Sequence, residues 1–482
     1  HDPATAYIAA TRYKHDDYRP YLYKTNDYGK TWTKIVDGIP EDDFTRVIRE
    51  DPNRRGLLYA GTETGIYISF DDGGHWQRFQ LNLPVCPIHD LMVKGTDLIA
   101  ATHGRSFWIL DDLTPLHQMA DGLADKPMHL FTPRDTTRFK VYKGYGSEST
   151  TETSYRMAGP LVFGYRKRET PTGTTVEEFL DAGENPPNGV LITYWLKDQP
   201  EGEVTLTILD EAGNEIRSFS SEPPKPAQGT DGSAPTPRER ALIEGGEAPG
   251  AEEKKEPRVP KDAGLNRFVW DMRVAGPTMV PGDKTTEDYR DGPVVVPGTY
   301  QVRLTVGDES QTATFRILKD PRIAATDEDL AEQFKLLLAI RDKVSEVHQA
   351  INTIRDVRRQ IDDWARRAGE RDGGSAVVDA AKSLREKLTA IEEELIQVKG
   401  DDPRQFPSKL NWKLAVLTVF VDSDDARPTQ QARDAFAELA AQADAHLAAL
   451  RQVLDTDLAA FDRAVRDAGI PAVVPTQGTA RS

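Results

Sequence analysis

The chain has 482 residues, a formal net charge of −17 and an isoelectric point near 5.1. This acidity argues against nucleic acid or an anionic membrane surface as a partner, because phosphate binding needs clustered cations. A mean hydropathy of −0.56 without any long apolar run predicts no membrane span. Cys86 is the only cysteine, so no internal disulfide can form, and its thiol is expected to be a small buried apolar group.

One turn pattern, Ser/Thr-x-Asp-x-Gly-x-x-Trp, occurs at Thr25–Trp32 and again at Ser69–Trp76. The carboxylate can accept hydrogen bonds from backbone N–H groups, the glycine permits a positive φ, and the tryptophan is expected to bury its ring between strands. We interpret the pattern as a structural lock rather than as catalytic acids or calcium ligands, because a carboxylate saturated by backbone donors is a poor base. The lock comprises Asp27, Gly29, Trp32, Asp71, Gly73 and Trp76.

The spacing of these turns predicts a repeat. Asp71 follows Asp27 by 44 residues, and Asp111 follows Asp71 by 40. A four-stranded propeller blade has a period of about 40–45 residues. The flanking segments repeat too, since Tyr7-Ile8-Ala9-Ala10 parallels Leu58-Tyr59-Ala60-Gly61. Residues 1–113 are therefore predicted to form about two and a half blades of a β-propeller.

The three copies differ in completeness. The first has no inner strand before His1-Asp2-Pro3, no initiator Met precedes it, and the third copy has lost the glycine and the tryptophan. We therefore expect a fragment of a longer protein, whose missing propeller blades would pair with the open edges. The middle copy is predicted to contain all four strands, at Thr45–Glu50, Leu57–Gly61, Gly65–Ser69 and Gln77–Gln80.

Beyond the repeats the sequence changes character, which predicts further domains. Residues 114–187 form a mixed connector, and short alternating strands with Gly/Pro turns between 188 and 321 predict a β-sandwich of immunoglobulin-like size. Residues 222–264 are rich in Pro, Gly, Glu and Lys, and they are predicted to be a disordered insertion in that sandwich. The strands are expected at Val190–Leu196, Val204–Leu209, Asn266–Arg273, Thr299–Val306 and Gln311–Leu318.

From residue 322 the apolar period changes from two to about three and a half. Thr326 and Asp329 are spaced like a capping box, and apolar residues then follow at steps of three and four. Four helices, the third at Leu410–Val421 and the fourth at Thr429–Ala468, predict an antiparallel helical bundle over 322–470, followed by a tail over 471–482. The predicted fold class is multidomain: mainly β, followed by α-helical.

The search for catalytic motifs finds no nucleophile elbow, phosphate loop, H-E-x-x-H or paired-cysteine metal site. No cofactor and no metal are predicted, since two histidines without a spaced third ligand are a weak metal signal. Inner-strand ends face the channel of a propeller, so polar residues there are candidate ligand contacts. These candidates are His89, His103, Arg105, Arg46 and Arg49. An alternative stays open, in which His103 and Arg105 bind loop carbonyls and pair with Asp111 or Asp112.

The repeated turns resemble the Asp-box, or bacterial neuraminidase repeat, of sialidases and sortilin-type propellers. The segment Ala101–Asp112 resembles the last blade of large bacterial sortilin-like proteins, often labelled glycosyl hydrolases. Gly264–Arg273 with Pro297-Gly298-Thr299-Tyr300 is similar to the Ig-like module of flagellar hook-capping proteins. The resemblance implies a C-terminal part of an exported bacterial propeller protein, located in the periplasm or outside the cell.

Two functions follow as hypotheses. We favour a non-catalytic propeller protein that binds a peptide, protein or glycan, with the sandwich and the helices as accessory modules. The alternative is a sialidase-like glycoside hydrolase whose catalytic residues lie mostly in the missing blades. Such chemistry needs two carboxyl groups roughly 5–10 Å apart, and none can be assigned to this chain from the sequence.

Overall fold

A computed structural model of the chain describes residues 1–120, 122–140, 145–146, 153–158, 161–170, 175–180, 183, 185–223, 256–283, 285–371, 374–399 and 406–470. The chain divides into two compact units. The first unit comprises His1–Thr136, Lys143–Trp270 and Thr299–Arg316. The second comprises Thr137–Tyr142, Asp271–Gly298 and Ile317–Ser482. The predicted tail, 471–482, lies outside the described residues.

Three successive antiparallel sheets begin the first unit, and we call them the first, middle and third blades. The middle blade has four strands, as the sequence predicts, in the order Thr45–Glu50, Leu58–Thr62, Ile66–Ser69 and Gln77–Arg78. The other two have three described strands each. These are Ala6–Arg12, Asp17–Thr25 and Thr33–Lys34 in the first blade, and Ile88–Lys94, Asp97–Thr102 and Phe107–Leu110 in the third.

Apolar side chains fill the space between neighbouring blades. Because successive residues of a strand point to opposite faces, the middle blade uses one face towards each neighbour. Between the first and middle blades the buried cluster contains Leu22, Ile39, Ile48, Leu58, Ala60, Tyr67 and Trp76. Between the middle and third blades it contains Val47, Leu57, Tyr59, Ile66, Ile68, Cys86, Ile88, Leu91, Leu98, Ala100 and Leu113. Cys86 is buried there, as predicted from its solitary occurrence.

The two repeated turns share two hydrogen bonds to their aspartates. The Asp27 carboxylate accepts from the Thr31 N–H at 2.9 Å and from the Thr25 hydroxyl at 2.8 Å. The Asp71 carboxylate accepts from the His75 N–H at 2.9 Å and from the Ser69 hydroxyl at 2.7 Å. Gly29 and Gly73 have φ values of +80° and +85°, which L side chains rarely adopt. Both carboxylates are therefore engaged within their own turns.

The two box tryptophans differ, in contrast to the expectation that both are buried. Trp76 is 1% exposed, and its Nε1–H donates to the Ile35 carbonyl of the first blade at 2.9 Å. Trp32 is 40% exposed. The reason is that a box tryptophan packs against the blade that precedes its own along the chain, and the described residues place no such blade beside Trp32.

A short helix, Thr114–Gln118, follows the third blade. The region predicted as a connector then contains a four-stranded sheet that the sequence reading missed, made of Tyr145–Gly146, Ser154–Ala158, Leu161–Glu169 and Thr175–Phe179. Its consecutive strands pair antiparallel. These strands were not predicted from the Gly/Thr-rich composition, because strands of this kind are stabilised by pairing with one another more than by local propensity.

Two more sheets complete the first unit, with strands close to the predicted ones. One has the order Met128–Leu130, Val190–Leu196 and Gly264–Trp270. The other has the order Thr136–Arg138, Glu309–Lys319, Gly298–Val306, Val204–Asp210 and Glu215–Ser220. Aromatic rings join the two sheets, since Trp270 contacts Tyr300 and Phe315 with centroids 6.1 and 6.2 Å apart.

Most of the insertion predicted to be disordered, residues 224–255, lies outside the described residues. Its C-terminal end is packed, which differs from the prediction. Val259 is buried and its N–H donates to the Ser220 carbonyl at 3.1 Å, while Gly264 already begins a strand. This stretch is held by several contacts besides Val259, among them ion pairs of Arg217 with Glu256 and of Lys261 with Glu222.

The second unit is mainly helical. Its first helix begins with the predicted capping box, in which Thr326 accepts from the Asp329 N–H and Asp329 accepts from the Thr326 N–H. Its helices share one apolar core. They are Asp327–Gly369, Ser375–Leu395, Leu410–Val421, Gln430–Val453 and Ala459–Asp467, the last two joined by a π-helical turn at Leu454–Leu458. Within the described residues, none of the helices combines the length and apolarity that a membrane crossing requires.

We expect Trp76→Ala to destabilise the first unit by about 3–5 kcal/mol, because it leaves a large cavity between two blades. Trp32→Ala is the matched control, and it should cost about 1 kcal/mol or less, since its ring is partly hydrated already. Urea unfolding followed by the strand signal in circular dichroism measures both. Equal losses for the two variants would contradict the interblade role of Trp76.

The hydrogen bonds of the first turn also predict a pH dependence. The Thr31 hydroxyl and N–H lower the pKa of Asp27 to about 2. Because this folded-state pKa lies below the unfolded value of about 3.9, the turn is stabilised above pH 4 and loses that contribution as the pH falls through 2. A carboxyl titration by NMR should place the Asp27 midpoint near 2. A midpoint near 4 would show that the turn does not hold the carboxylate.

Candidate functional site

Arg46 and the second repeated turn lie at opposite ends of the middle blade. Thr45 pairs with Thr62, while Glu50 pairs with Leu58, which in turn pairs with Ser69 at the start of that turn. Arg49 lies towards the turn end of the same strand, because it pairs with Tyr59. Asp27 and Asp71 accept hydrogen bonds within their own turns and do not line the pocket described next.

An open pocket of about 350 Å³ brings together three of the five predicted ligand contacts, Arg46, Arg49 and His89. Two inner strands supply these side chains, Thr45–Glu50 from the middle blade and Ile88–Lys94 from the third. The first blade contributes the remaining wall. The lining comprises Tyr7, Ala9, Arg46, Val47, Ile48, Arg49, His89 and Asp90. We call this region the rim pocket.

His103 joins the rim pocket by stacking on His89. The two imidazole centroids are 4.8 Å apart and the ring planes differ by 13°. Ile88 pairs with Thr102, and the register shift between Ile88 and Asp90 leaves His89 unpaired in the ladder. At this bulge the His89 ring reaches the ring of His103, which follows Thr102. Desolvation, with further contributions from Arg46 and His103, lowers the pKa of His89. The His89 ring of this planar stack is therefore uncharged at neutral pH.

Each arginine of the rim pocket is paired with a carboxylate. Arg46 Nε donates to Glu63 Oε2 at 2.7 Å, and its guanidinium lies 5.0 Å from the centre of the Phe44 ring. Arg49 Nη2 donates to Asp90 Oδ1 at 2.6 Å, which links the middle blade to the third. These pairs hold the guanidinium groups in one geometry while leaving other N–H donors of each fork for a ligand.

Arg105 lies in the loop that follows the second strand of the third blade, next to the stack. Its N–H donates to Thr102 Oγ1 at 3.1 Å and its carbonyl accepts from Trp108 Nε1 at 2.8 Å. The residue is exposed. Its backbone is thus anchored, and its exposed side chain follows His103 by two residues.

The alternative pairing of His103 and Arg105 with Asp111 or Asp112 is absent from the described contacts. Asp112 Oδ1 accepts from the N–H of Thr114 at 3.1 Å and from its hydroxyl. Burial, followed by the negative charge of Asp97, raises the pKa of Asp111. Both carboxylates lie at the ends of strands away from the stack, because Leu110 pairs with Leu98.

The sequence reading did not include Glu63 and Phe44 in the site. A usable signal was present for Glu63, because it follows Thr62 as His103 follows Thr102 in the next blade. Phe44 gave no comparable signal, since it precedes a strand and contacts Arg46 only through the folded blade. Among the described residues no cluster of histidine, cysteine and carboxylate side chains could hold a metal ion.

Comparison with known proteins finds no matching family model and no matching curated protein. Among solved structures, an ancestral GH74 enzyme aligns with a TM-score of 0.20 and 11% identity, over 45% of this chain and 37% of that chain. YCF48 bound to D1 peptide aligns with a TM-score of 0.15 and 18% identity, over 36% of this chain and 55% of that chain. The chain thus spans less than two thirds of the length of either protein. Its blades are therefore described from the strand pairing of this chain alone.

The histidine stack yields a prediction about His89. Replacing His103 by alanine uncovers one face of the His89 ring and removes a nearby imidazole, so the pKa of His89 should rise towards 6.5. His75→Ala, an exposed histidine in the second Asp-box, is the matched control and should leave the His89 pKa unchanged. NMR titration of the imidazole signals checks this. An unchanged or lower His89 pKa in His103→Ala would contradict the stacking.

Proposed function

We propose that this chain is part of a non-catalytic β-propeller protein of the sortilin-like, Asp-box type, and that it binds a peptide, protein or glycan at the rim pocket. The two face-to-face sheets would serve as an Ig-like accessory module, and the helices as a bundle. By analogy with that class, the protein would be exported to the periplasm or the cell exterior. No cofactor takes part in the proposed binding.

One observation carries the proposal: the carboxylates at the rim are committed to arginines. Glu63 is ion-paired with Arg46, and Asp90 with Arg49. The pocket therefore presents guanidinium N–H groups and the flat His89–His103 stack, which suit hydrogen bonding and ring stacking. Glycoside hydrolysis instead requires two carboxyl groups facing the sugar, one of them as a proton donor.

The His89–His103 stack and the guanidinium groups of Arg46 and Arg49 suggest how a ligand would lie. A sugar ring or a planar side chain can cover the imidazole faces, and oxygen atoms at its edge can accept from Arg46 and Arg49. The geometry favours a ligand with both a flat face and several acceptors. Main-chain carbonyls of an extended peptide and hydroxyl or carboxylate groups of a glycan both satisfy this description.

Screening the chain on glycan and peptide arrays should yield ligands whose affinity depends on the rim. For a ligand so found, Arg46→Ala should weaken binding at least about tenfold, since a charge-assisted hydrogen bond contributes about 1.5–3 kcal/mol. His89→Ala should weaken it about twofold to tenfold, since an aromatic contact contributes about 0.5–1.5 kcal/mol. Arg78→Ala, on the outer strand of the same blade, should leave the affinity unchanged and serves as the matched control. Binding that is insensitive to both rim variants would refute the rim pocket as the site.

The glycoside hydrolase alternative is tested on the same protein with chromogenic glycosides. We expect no turnover above that of a heat-denatured sample. Hydrolysis that disappears in Asp90→Asn but persists in Asp37→Asn would overturn the non-catalytic proposal, because Asp90 lines the rim pocket whereas Asp37 is an exposed turn residue outside the pocket lining.

A further inference from the structure

The first helix of the second unit, Asp327–Gly369, carries a row of polar side chains that contact the backbone of a neighbouring segment. We call that segment, residues 275–283, the strap. Because the steps along the helix alternate between four and three residues, all members of the row lie on one helix face. The row comprises Arg341, Ser345, His348, Asn352 and Arg355. The helix therefore holds the strap through its main chain.

His348 makes the central contact of this row. Its Nδ1 lies 2.6 Å from the Thr278 carbonyl oxygen, and the Thr278 N–H donates to Ser345 Oγ at 3.1 Å. A carbonyl oxygen can only accept a hydrogen bond, so Nδ1 carries the proton of the neutral ring. Next along the row, Asn352 Nδ2 donates to the Met279 carbonyl at 3.1 Å. Both backbone groups of Thr278 are thus bound by the helix.

The other ring nitrogen of His348 lies where a proton is unfavourable. The side chain is fully buried, and among the described residues Nε2 has no hydrogen-bond partner. Since Nδ1 already carries a proton, a second one can be added only at Nε2. It would create a buried cation whose N–H lacks an acceptor, which is unfavourable. Burial lowers the pKa of His348 below its ordinary value of 6.5, against the opposing effects of the Thr278 carbonyl and Asp283.

The acidic groups on the elements packed around the ring are already engaged. Asp283, at the end of the strap, accepts hydrogen bonds from two threonines and from the buried Asn411 of the third helix. The one lysine within that helix, Lys413, is exposed. The other two packed helices contribute Glu392 and Asp444, each of which is ion-paired with a base on the first helix. None of these acids is therefore free to neutralise a charged imidazole.

We propose that the strap is an acid-released latch, in which protonation of His348 breaks its contact with the first helix. In the closed state the neutral ring holds Thr278. A proton at Nε2 is accommodated only when the strap lifts and water reaches the ring, so a falling pH shifts the equilibrium towards the released state. The latch belongs to the second unit, and it does not depend on ligand binding at the rim pocket.

The direction of the pH effect follows from linkage between proton binding and closure. The pKa of His348 is lower in the closed state than in the released, hydrated state, whose value is about 6.5. The released state therefore binds the proton more tightly. Closure is fully stabilised above about pH 6.5 and weakens as the pH falls below that value.

Hydrogen exchange at the Thr278 amide tests the latch, because Ser345 protects that N–H only while the strap is closed. In the full chain its protection factor, which corrects for the intrinsic pH dependence of exchange, should fall about five- to tenfold between pH 7.5 and 5.5. The amide of Ile351, in the buried core of the first helix, should stay protected. Unchanged protection at Thr278 would overturn the proposal. So would an equal loss at both amides, because the helix itself would then be unfolding.

His348→Asn removes the titrating ring and keeps an N–H donor for the Thr278 carbonyl. In this variant the protection of Thr278 should be the same at both pH values. The matched control is His446→Asn, on the helix Gln430–Val453, which leaves His348 in place and should show the pH-dependent loss of the unaltered chain. A loss that persists in His348→Asn, or that disappears in His446→Asn, would contradict the role of His348.

A second measurement needs no folded variant. NMR titration of the imidazole signals of the unaltered full chain should give His348 a midpoint below 6.5, within the pH range in which Thr278 loses its protection. A His348 midpoint at or above 6.5 would overturn the proposal, because protonation would then favour the closed strap or leave it unaffected.

Discussion

The interblade contact is the interaction on which the first part of this structure depends. Each blade is a sheet with apolar residues on both faces, so it is stable only when a neighbour covers each face. The middle blade meets this condition, and its strand Leu58–Thr62 is buried at every position. Within the described part of the chain, each outer blade packs against another blade on one face only.

The same contact also builds the candidate site. Packing the inner strands of successive blades side by side places Arg49 within hydrogen-bond distance of Asp90. The third blade by itself places His89 beside His103. The rim pocket is thus lined by residues of blades that pack against each other. The repeated turns contribute neither Asp27 nor Asp71 to it, because both carboxylates accept hydrogen bonds within their own turns.

The repeat made part of the site accessible to sequence reasoning. Arg46, Arg49 and His89 could be placed at strand ends because the period of the blades and the box turns located the strands. Glu63 and Phe44 were missed, since their roles depend on contacts with Arg46 that no spacing reveals. The parallel between the first two repeats, which matched Ile8 with Tyr59, was also wrong by one residue. The structure pairs Ile8 as it pairs Ala60, and a one-residue slip moves a side chain to the other face of the sheet.

The sequence by itself determined the local elements: the box turns, the four strands of the middle blade, the capping box at Thr326 and the helix at Leu410–Val421. Their signals are short-range, because periodicity, capping and turn chemistry act within a few residues. Only the tertiary structure decided which of two equivalent tryptophans is buried, and that the connector contains a sheet. Burial is a property of neighbours, so Trp32 and Trp76 share a motif and differ in what lies beside them.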